Sequence, residues 1–453
     1  MNSFLRTFTH WFNPEVFRQL ARQTLWHQRP GKIDAYDFLL SAVLGQASAL
    51  RLTLDSQSRS LAEPVSRQAI DQRYHERTVD FFHRSFDHVL AEALAPSPRA
   101  GLAESLGAHF RAVYLLDSTC WDAPGSLQSI FPSCGGDGSA ANVKLLLRYE
   151  CLSGQFHPQA LLPGKKSDQG LAAAAAGRLQ AGELQIQDKG FYDAAAWHAV
   201  QQAGAYLLMP WPRSVTVWAR PAPGQPEQPL DVAATLAGAT TARVEWAEVA
   251  FGQKERRVAG LRLTAFRLSL ESAQRQRAKL REAQRCQGRV PTRQALELAG
   301  WLILITNVPV TKLPTDQIAY LYRLRWQVEL IFRQCKTTLR LDQARGDNPH
   351  RTQCEIWARL LAAVFLFLWH GHANALCWLQ HRREISFEKV ACLIQQKAHS
   401  LARALRVGGA YLREILEELW RCILKTARKG RQKTRTNSGD RLEAFGPALP
   451  APA

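Results

Sequence analysis

The chain has 453 residues, 46% of them hydrophobic and 21% charged, a globular composition long enough for two to four domains. Lys and Arg number 58 against 39 Asp and Glu, a net charge of +19 and a pI near 9.9, which points to a polyanionic partner, nucleic acid first. A membrane role is set aside because no run approaches the ~18 apolar residues of a spanning helix, and the start, MNSFLRTFTHWFNPEVF, has no continuous apolar stretch. Nine cysteines without a CxxC or Cys/His ladder read as free thiols in a reducing cytosol, with neither a zinc site nor a disulfide framework.

From Phe4 to about Leu94 the pattern is helical, broken near Pro30-Gly31 and Glu63-Pro64. Within EPVSRQAIDQRYHER, Ser66 reads as an N-cap followed by a short helix exposing Arg67, Gln68, Gln72 and Arg73. Such side chains suit phosphates and base edges, so Arg67 and Arg73 are candidate DNA contacts; an ordinary solvated helix face is the competing reading. APSPRAG (95–101) reads as a linker.

Beyond the linker the period changes. FRAVYLLDSTCWD reads as a buried strand ending at Asp117, followed by a Gly/Ser-rich loop and a hairpin over VKLLLRYECLSGQFHPQALL. A helix over DQGLAAAAAGRLQ leads to a second strand, GELQIQDKGFYD, which stops at Asp188. Asp122 and Asp193 are the rival carboxylates, and a strand-terminal aspartate is more often a turn former than a ligand. A helix over 194–203 and the strand AYLLMPW follow. Between Pro212 and Leu298 the register is lost: strands ARVEWAEVAF and RRVAGLRLTAFRLSL, then a basic helix, read as an insertion before the strand WLILITNVP. LLPGKKSDQG is not a phosphate loop, since Gln159 stands where a glycine is needed, and the histidines show no metal spacing. The C-terminal third is helical and closes on a basic tail suited to phosphate contact.

YRLRWQVELIFRQCK (322–336) carries two stripes at helical period. Leu321, Leu324, Val328, Ile331 and Cys335 form a core face, and Tyr322, Arg325, Glu329 and Lys336 a polar one beside it. With Arg325 four residues before Glu329 and Arg333 four after, an exposed ion-pair ladder is the simplest account. The alternative is chemical. Two aspartates at strand ends and a glutamate on a helix converge only if a hard divalent cation offsets their repulsion. Mg²⁺ suits such a site, and two ions ~4 Å apart activate a water or 3′-hydroxyl for in-line displacement at phosphorus.

The set Tyr322, Arg325, Glu329 and Lys336 matches Y-x2-R-x3-E-x6-K, and DSTCWD and DKGFYD supply the preceding blocks. Over roughly residues 110–370 the chain thus resembles the YREK group of DDE transposases from bacterial insertion sequences, the IS-four type. Asp-Lys-Gly stands where relatives often have Asp-Arg-Gly, and the loop QSIFPSCGGDGSAANVK is less basic than in many of them.

The resemblance implies an α/β fold: a ribonuclease H-like catalytic core with a mostly β insertion, flanked by helical N- and C-terminal regions. Its expected divisions are 1–100 (helical, DNA-binding), 101–211 and 301–345 (the core), 212–300 (the insertion), 346–425 (helical) and 426–453 (basic tail). It implies Asp117, Asp188 and Glu329 as the catalytic, metal-binding triad for two Mg²⁺ ions, with Mn²⁺ as a substitute. Tyr322, Arg325, Arg333 and Lys336 would contact DNA, as would Trp326. Relatives form hairpin ends with a flipped base stacked on a tryptophan, a role implied for Trp301, although a core tryptophan fits GWLILI equally well. The implied partners are the element's terminal inverted repeats and target DNA, bound by a homodimer in a cytoplasmic, nucleoid-associated synaptic complex.

Overall fold

Asn13 accepts a hydrogen bond from the Glu15 amide and Pro14 takes the first helical position, so helix α1 starts at Pro14 and runs to Gln23. The computed structural model describes residues 12–28, 31–47, 52–93, 104–135, 138–220, 224–253, 256–344 and 346–430. Among these, the residues of 1–104, 118–166 and 328–444 cluster as one unit and those of 105–117 and 167–327 as another. The chain therefore changes unit inside a strand, after Asp117, and inside a helix, after Gln327.

The first unit continues through α2 (Ala35–Ala47), α3 (Leu54–Ser60), α4 (Arg67–Asp71) and α5 (Glu76–Ala93). Helix α2 is apolar on nearly every side and buried accordingly. Trp26 stacks on Phe81 with centroids 5.5 Å apart, and Phe38 meets Phe82 edge-on at 6.0 Å. The expected break at Glu63-Pro64 is the loop between α3 and α4. Pro30, the 95–101 linker and the tail from residue 431 lie outside the described residues.

After α6 (Glu104–His109), strand β1 spans Val113–Ala123. It does not end at Asp117 as the sequence suggested. Trp121 and Ala123 are buried on alternate positions, so the strand period runs on. The expected hairpin is present in the first unit as β2 (Ala141–Glu150) and β3 (Gln155–Pro163), antiparallel with an irregularity at Leu146/Leu147.

In the second unit α7 (Gln169–Ala176) precedes β4 (Leu184–Gln187), and α8 (Ala194–Gln202) precedes β5 (Tyr206–Pro210). Both connections return in parallel, β1 to β4 and β4 to β5, as crossovers that pass through a helix do. Residues 212–300, expected as an insertion, hold β6 (Val217–Ala219), β7 (Gln228–Pro229), α9 (Val232–Ala237), β8 (Arg243–Phe251), β9 (Val258–Arg267), α10 (Leu270–Arg285) and α11 (Arg293–Leu298), ahead of β10 (Trp301–Thr306). This stretch is thus mixed, with three helices beside its strands. Nor is it a separate sheet: within this unit the strand order is β1-β4-β5-β10-β9-β8-β6-β7. β9 pairs all six residues of β10, which would otherwise leave a row of unmatched backbone groups. This is an α/β fold with a large sheet.

The motif helix is also not continuous. α12 (Thr315–Tyr322) gives way to a single 3-10 turn over Arg323–Arg325 before α13 (Trp326–Thr337). At 120° per residue instead of 100°, that turn rotates the residues beyond it by about 60° relative to an unbroken α-helix. The apolar face survives: Leu321, Leu324, Val328, Ile331 and Cys335 are all buried.

The first unit closes with α14 (Pro349–His381), α15 (Phe387–Val407) and α16 (Gly409–Thr426). By length and composition α14 is apolar enough to cross a bilayer, contrary to the sequence reading, and 72% of its apolar window is buried inside the protein. Burial on this scale is what a core helix needs. Its start is held by Asn348, whose Oδ1 accepts from the His350 and Arg351 amides at 3.0 and 3.1 Å. Asn348→Ala is expected to lower unfolding stability by about 1–2 kcal/mol, read as a shifted midpoint in urea with an unchanged slope.

Candidate active site

Leu116 of β1 is registered against Gln187 of β4, the last pair of that parallel ladder. Asp117 and Asp188 are the next residue on each chain. Asp188 keeps extended backbone angles, φ −79° and ψ 162°, so the alternation of faces carries through it. Two aspartates therefore follow the last registered pair of adjacent strands, whose backbones are spaced by about 4.8 Å in the pairing direction. They do so where the parallel β1–β4 ladder ends, at the carboxyl end of β4 and midway along β1.

Arg325 answers one of them, its Nη1 donating to Asp117 Oδ2 at 3.1 Å, with the two side chains 21% and 18% exposed. Its guanidinium also lies 5.9 Å from the Tyr322 ring centroid. Burial pushes the Tyr322 hydroxyl up to about 12; Arg325 opposes that shift, while Asp188 and Asp117 add to it. Both aspartates thus act on one phenol, which stays protonated and able to donate a hydrogen bond at any physiological pH. If that donor meets a phosphate oxygen, Tyr322→Phe should slow end cleavage roughly tenfold to a hundredfold, as for a hydrogen bond to a charged group. The wild-type pH profile should show no break from this residue below about pH 10, to be read from initial rates.

A cleft of about 690 Å³ in the second unit is lined by Asp188, Tyr322, Arg325 and Trp301. Trp301 is only 5% exposed, and Arg267 covers its ring with the guanidinium carbon 4.4 Å from the centroid. The same cleft holds residues that sequence reasoning missed: Lys189, Trp211, Arg213, Gln276 and Lys279. The last two lie on α10, whose basic character was visible, but nothing local says that a helix of the insertion faces the Asp188 strand end.

Other expected residues have surroundings of their own. Glu329, half-buried, and the exposed Arg333 belong to the first unit. So does Lys336, whose Nζ donates to the Cys120 carbonyl at 3.0 Å. Trp326 is 57% exposed. Arg67 is exposed on α4, whereas Arg73, expected to be exposed, is half-buried with its guanidinium 5.2 Å from the Trp26 ring centroid. Both rival aspartates have local bonds: Asp122 accepts from Asn142 Nδ2 at 3.0 Å, and Asp193 caps α8 through the Ala195 amide at 2.7 Å. Among the described residues no three His, Cys, Asp or Glu side chains are gathered closely enough to hold a metal ion. The paired aspartates still fit a hard divalent cation, which takes one or two carboxylates and completes its shell with water and substrate phosphate.

Residues 108–365 match a family profile described as the transposase DDE domain. The chain belongs to that family. It is a DDE transposase of the IS-four type, an enzyme that cleaves and joins DNA strands, and divalent metal ions serve this class of chemistry. The transposase for insertion sequence element IS231F of Bacillus thuringiensis subsp. israelensis is 24% identical over 447 residues, covering 95% of this chain and 92% of its own. That for IS1151 of Clostridium perfringens is 22% identical over 426 residues, 90% and 89% of the two chains. Putative transposase InsL for IS186A of Escherichia coli (strain K12) reaches 39% over 105 residues, 23% of this chain and 28% of its own. A piggyBac transposase synaptic complex with hairpin DNA covers 96% of this chain and 88% of its own at a TM-score of 0.48 and 9% identity, too distant to establish a shared fold.

Proposed function

We propose that this DDE transposase cuts the ends of its own insertion sequence and transfers them to target DNA from a ribonuclease H-like core, with Asp117, Asp188 and Glu329 as its metal-binding carboxylates. The observation that carries this reading is the register that sets Asp117 beside Asp188 under Arg325 and Tyr322. The donor set suits Mg²⁺, with Mn²⁺ as a substitute, and two such ions when bound polarise the scissile phosphate and activate the attacking oxygen. Glu329 joins the pair on the strength of the Y-x2-R-x3-E-x6-K spacing, one helical turn beyond Arg325.

Each neighbouring side chain then has a task. Arg325 pairs with Asp117 and offers its remaining N–H groups to phosphate. Tyr322 donates its hydroxyl to the strand backbone, and Lys336, Arg333 and Trp326 extend the contact along the DNA. In hairpin formation an unstacked base takes the place of the Arg267 guanidinium over Trp301, the step that makes excision cut-and-paste. The helices of residues 1–100 and the basic tail bind the element's ends, in a cytoplasmic homodimer that pairs them.

The test is a supercoiled plasmid carrying the element's own ends, incubated with Mg²⁺ and either wild type or Glu329→Gln. The wild type should cut at the ends; the variant should bind them and cut at least about a hundredfold more slowly, the loss of a few kcal/mol of charge stabilisation. Equal cutting by the variant would make Glu329 a member of an ordinary ion-pair ladder. Cutting without joining would leave a nuclease, and no cutting by either protein a DNA binder.

A further inference from the structure

A second cleft, of about 660 Å³, opens in the first unit and is lined by Lys32, Ser66, Gln72, Arg73 and His75 among others, none of them acidic. Its basic groups are not neutralised locally: among the described residues, Lys32, Arg73 and His75 have no carboxylate partner. Arg73 rests instead on the Trp26 ring, a contact that orients a guanidinium without cancelling its charge. The surroundings of His75 say the same. Burial lowers its pKa first, and the charges acting on it are Arg77, Arg73 and His350, all of them basic.

The wall that carries these groups is hydrogen-bonded to the core. Between Arg73 and His75, the Tyr74 hydroxyl donates to Gln57 Oε1 at 2.7 Å in the core. The Tyr74 carbonyl accepts from Asn348 Nδ2 at 3.4 Å. The Arg73 carbonyl accepts from the Thr78 hydroxyl, which in turn accepts from Trp26 Nε1 at 3.1 Å. A concave, pre-set, acid-free surface with amide and hydroxyl groups beside its cations fits an anion with several acceptor oxygens.

We infer that this cleft is a phosphate-binding site for the DNA backbone, a clamp that anchors the duplex without reading its sequence. The inference rests on the proposed DNA binding by the helices of residues 1–100 and deepens it, assigning one cleft among them to the backbone rather than to the bases. Gln72 and Arg73 serve the clamp from within, and Arg67 and Gln68, exposed on α4, remain for base edges.

Fluorescence anisotropy tests it, with one duplex carrying the element's ends and one of unrelated sequence, each titrated across a range of NaCl concentrations. Lys32→Gln should weaken binding to both duplexes by a similar factor and reduce the slope of log Kd against log salt by about 1, the signature of one lost phosphate contact. Arg73→Lys, which keeps the charge, should hold the wild-type slope; Arg73→Gln should lower it, with thermal unfolding run alongside to confirm that packing on Trp26 survives. A slope unchanged in both Lys32→Gln and Arg73→Gln overturns the clamp, as does a loss confined to the end-bearing duplex. Plasmid cutting by the wild type, measured in parallel, separates failure of the clamp from failure of the catalytic reading.

Discussion

Asp188→Asn is expected to abolish end cleavage, slowing it by about a thousandfold or more, while leaving the protein folded and bound to DNA. A metal ion acting as a Lewis acid contributes several kcal/mol to phosphoryl transfer, and each ~1.4 kcal/mol is a factor of ten. The carboxylate has two jobs that this substitution separates. Its oxygen accepts from the Gly190 amide at 3.5 Å and so starts the 3-10 turn that follows β4. An asparagine oxygen does the same, since Asn and Asp cap helices about equally well. What Asn lacks is the negative charge. Cleavage of plasmid ends, with binding measured on the same preparations, reads the result. A variant that still cuts within tenfold of wild type would make Asp188 a turn former and nothing more.

The largest stability effect is expected at Arg262, which sits on β9 with its side chain 7% exposed. Its guanidinium donates to Glu245 Oε1 at 2.9 Å, to the Val308 and Leu313 carbonyls at 2.9 and 3.0 Å, and to Thr315 Oγ1 at 3.1 Å. Val308, Leu313 and Thr315 span the loop that leaves β10 and enters α12, the helix carrying Tyr322. Arg262→Met strands two carbonyls and a carboxylate together, so a loss of about 3–5 kcal/mol is expected, toward the lower end because Glu245 keeps some contact with water. The second unit should then unfold at lower denaturant concentration. Adding Glu245→Met to that variant should recover part of the loss, because the stranded charge is removed. A single variant within 1 kcal/mol of wild type would show that the network contributes little.

Element types were legible from the sequence wherever the signal is local. The hairpin over 141–163 follows from two runs joined by a turn, and Ser66 caps α4 through the Ala69 amide because a hydroxyl three residues ahead of that amide can reach it. The buried stripe of Leu321, Leu324, Val328, Ile331 and Cys335 follows from helical spacing alone, and it withstands a 3-10 turn that spacing does not announce. The apolar content of α14 escapes a search for unbroken runs because short polar breaks interrupt it, whereas its average over a window passes the spanning threshold.

By itself, then, the sequence determined the nature of the chemistry: a basic chain, three spaced carboxylates and the Tyr, Arg, Glu and Lys of a transposase motif. Tertiary structure decided what those residues meet. It set Asp117 beside Asp188 through strand register, and gave Arg325 an ion pair with a residue 208 positions away. It added the insertion's strands to the same sheet as β4 and β5, brought Lys279 to the cleft, and folded Arg73 onto Trp26. The physical reason is one of range. Periodicity records which side of its own element a residue occupies, whereas register and partner choice depend on how distant segments bury their surfaces together, and no local pattern carries that information.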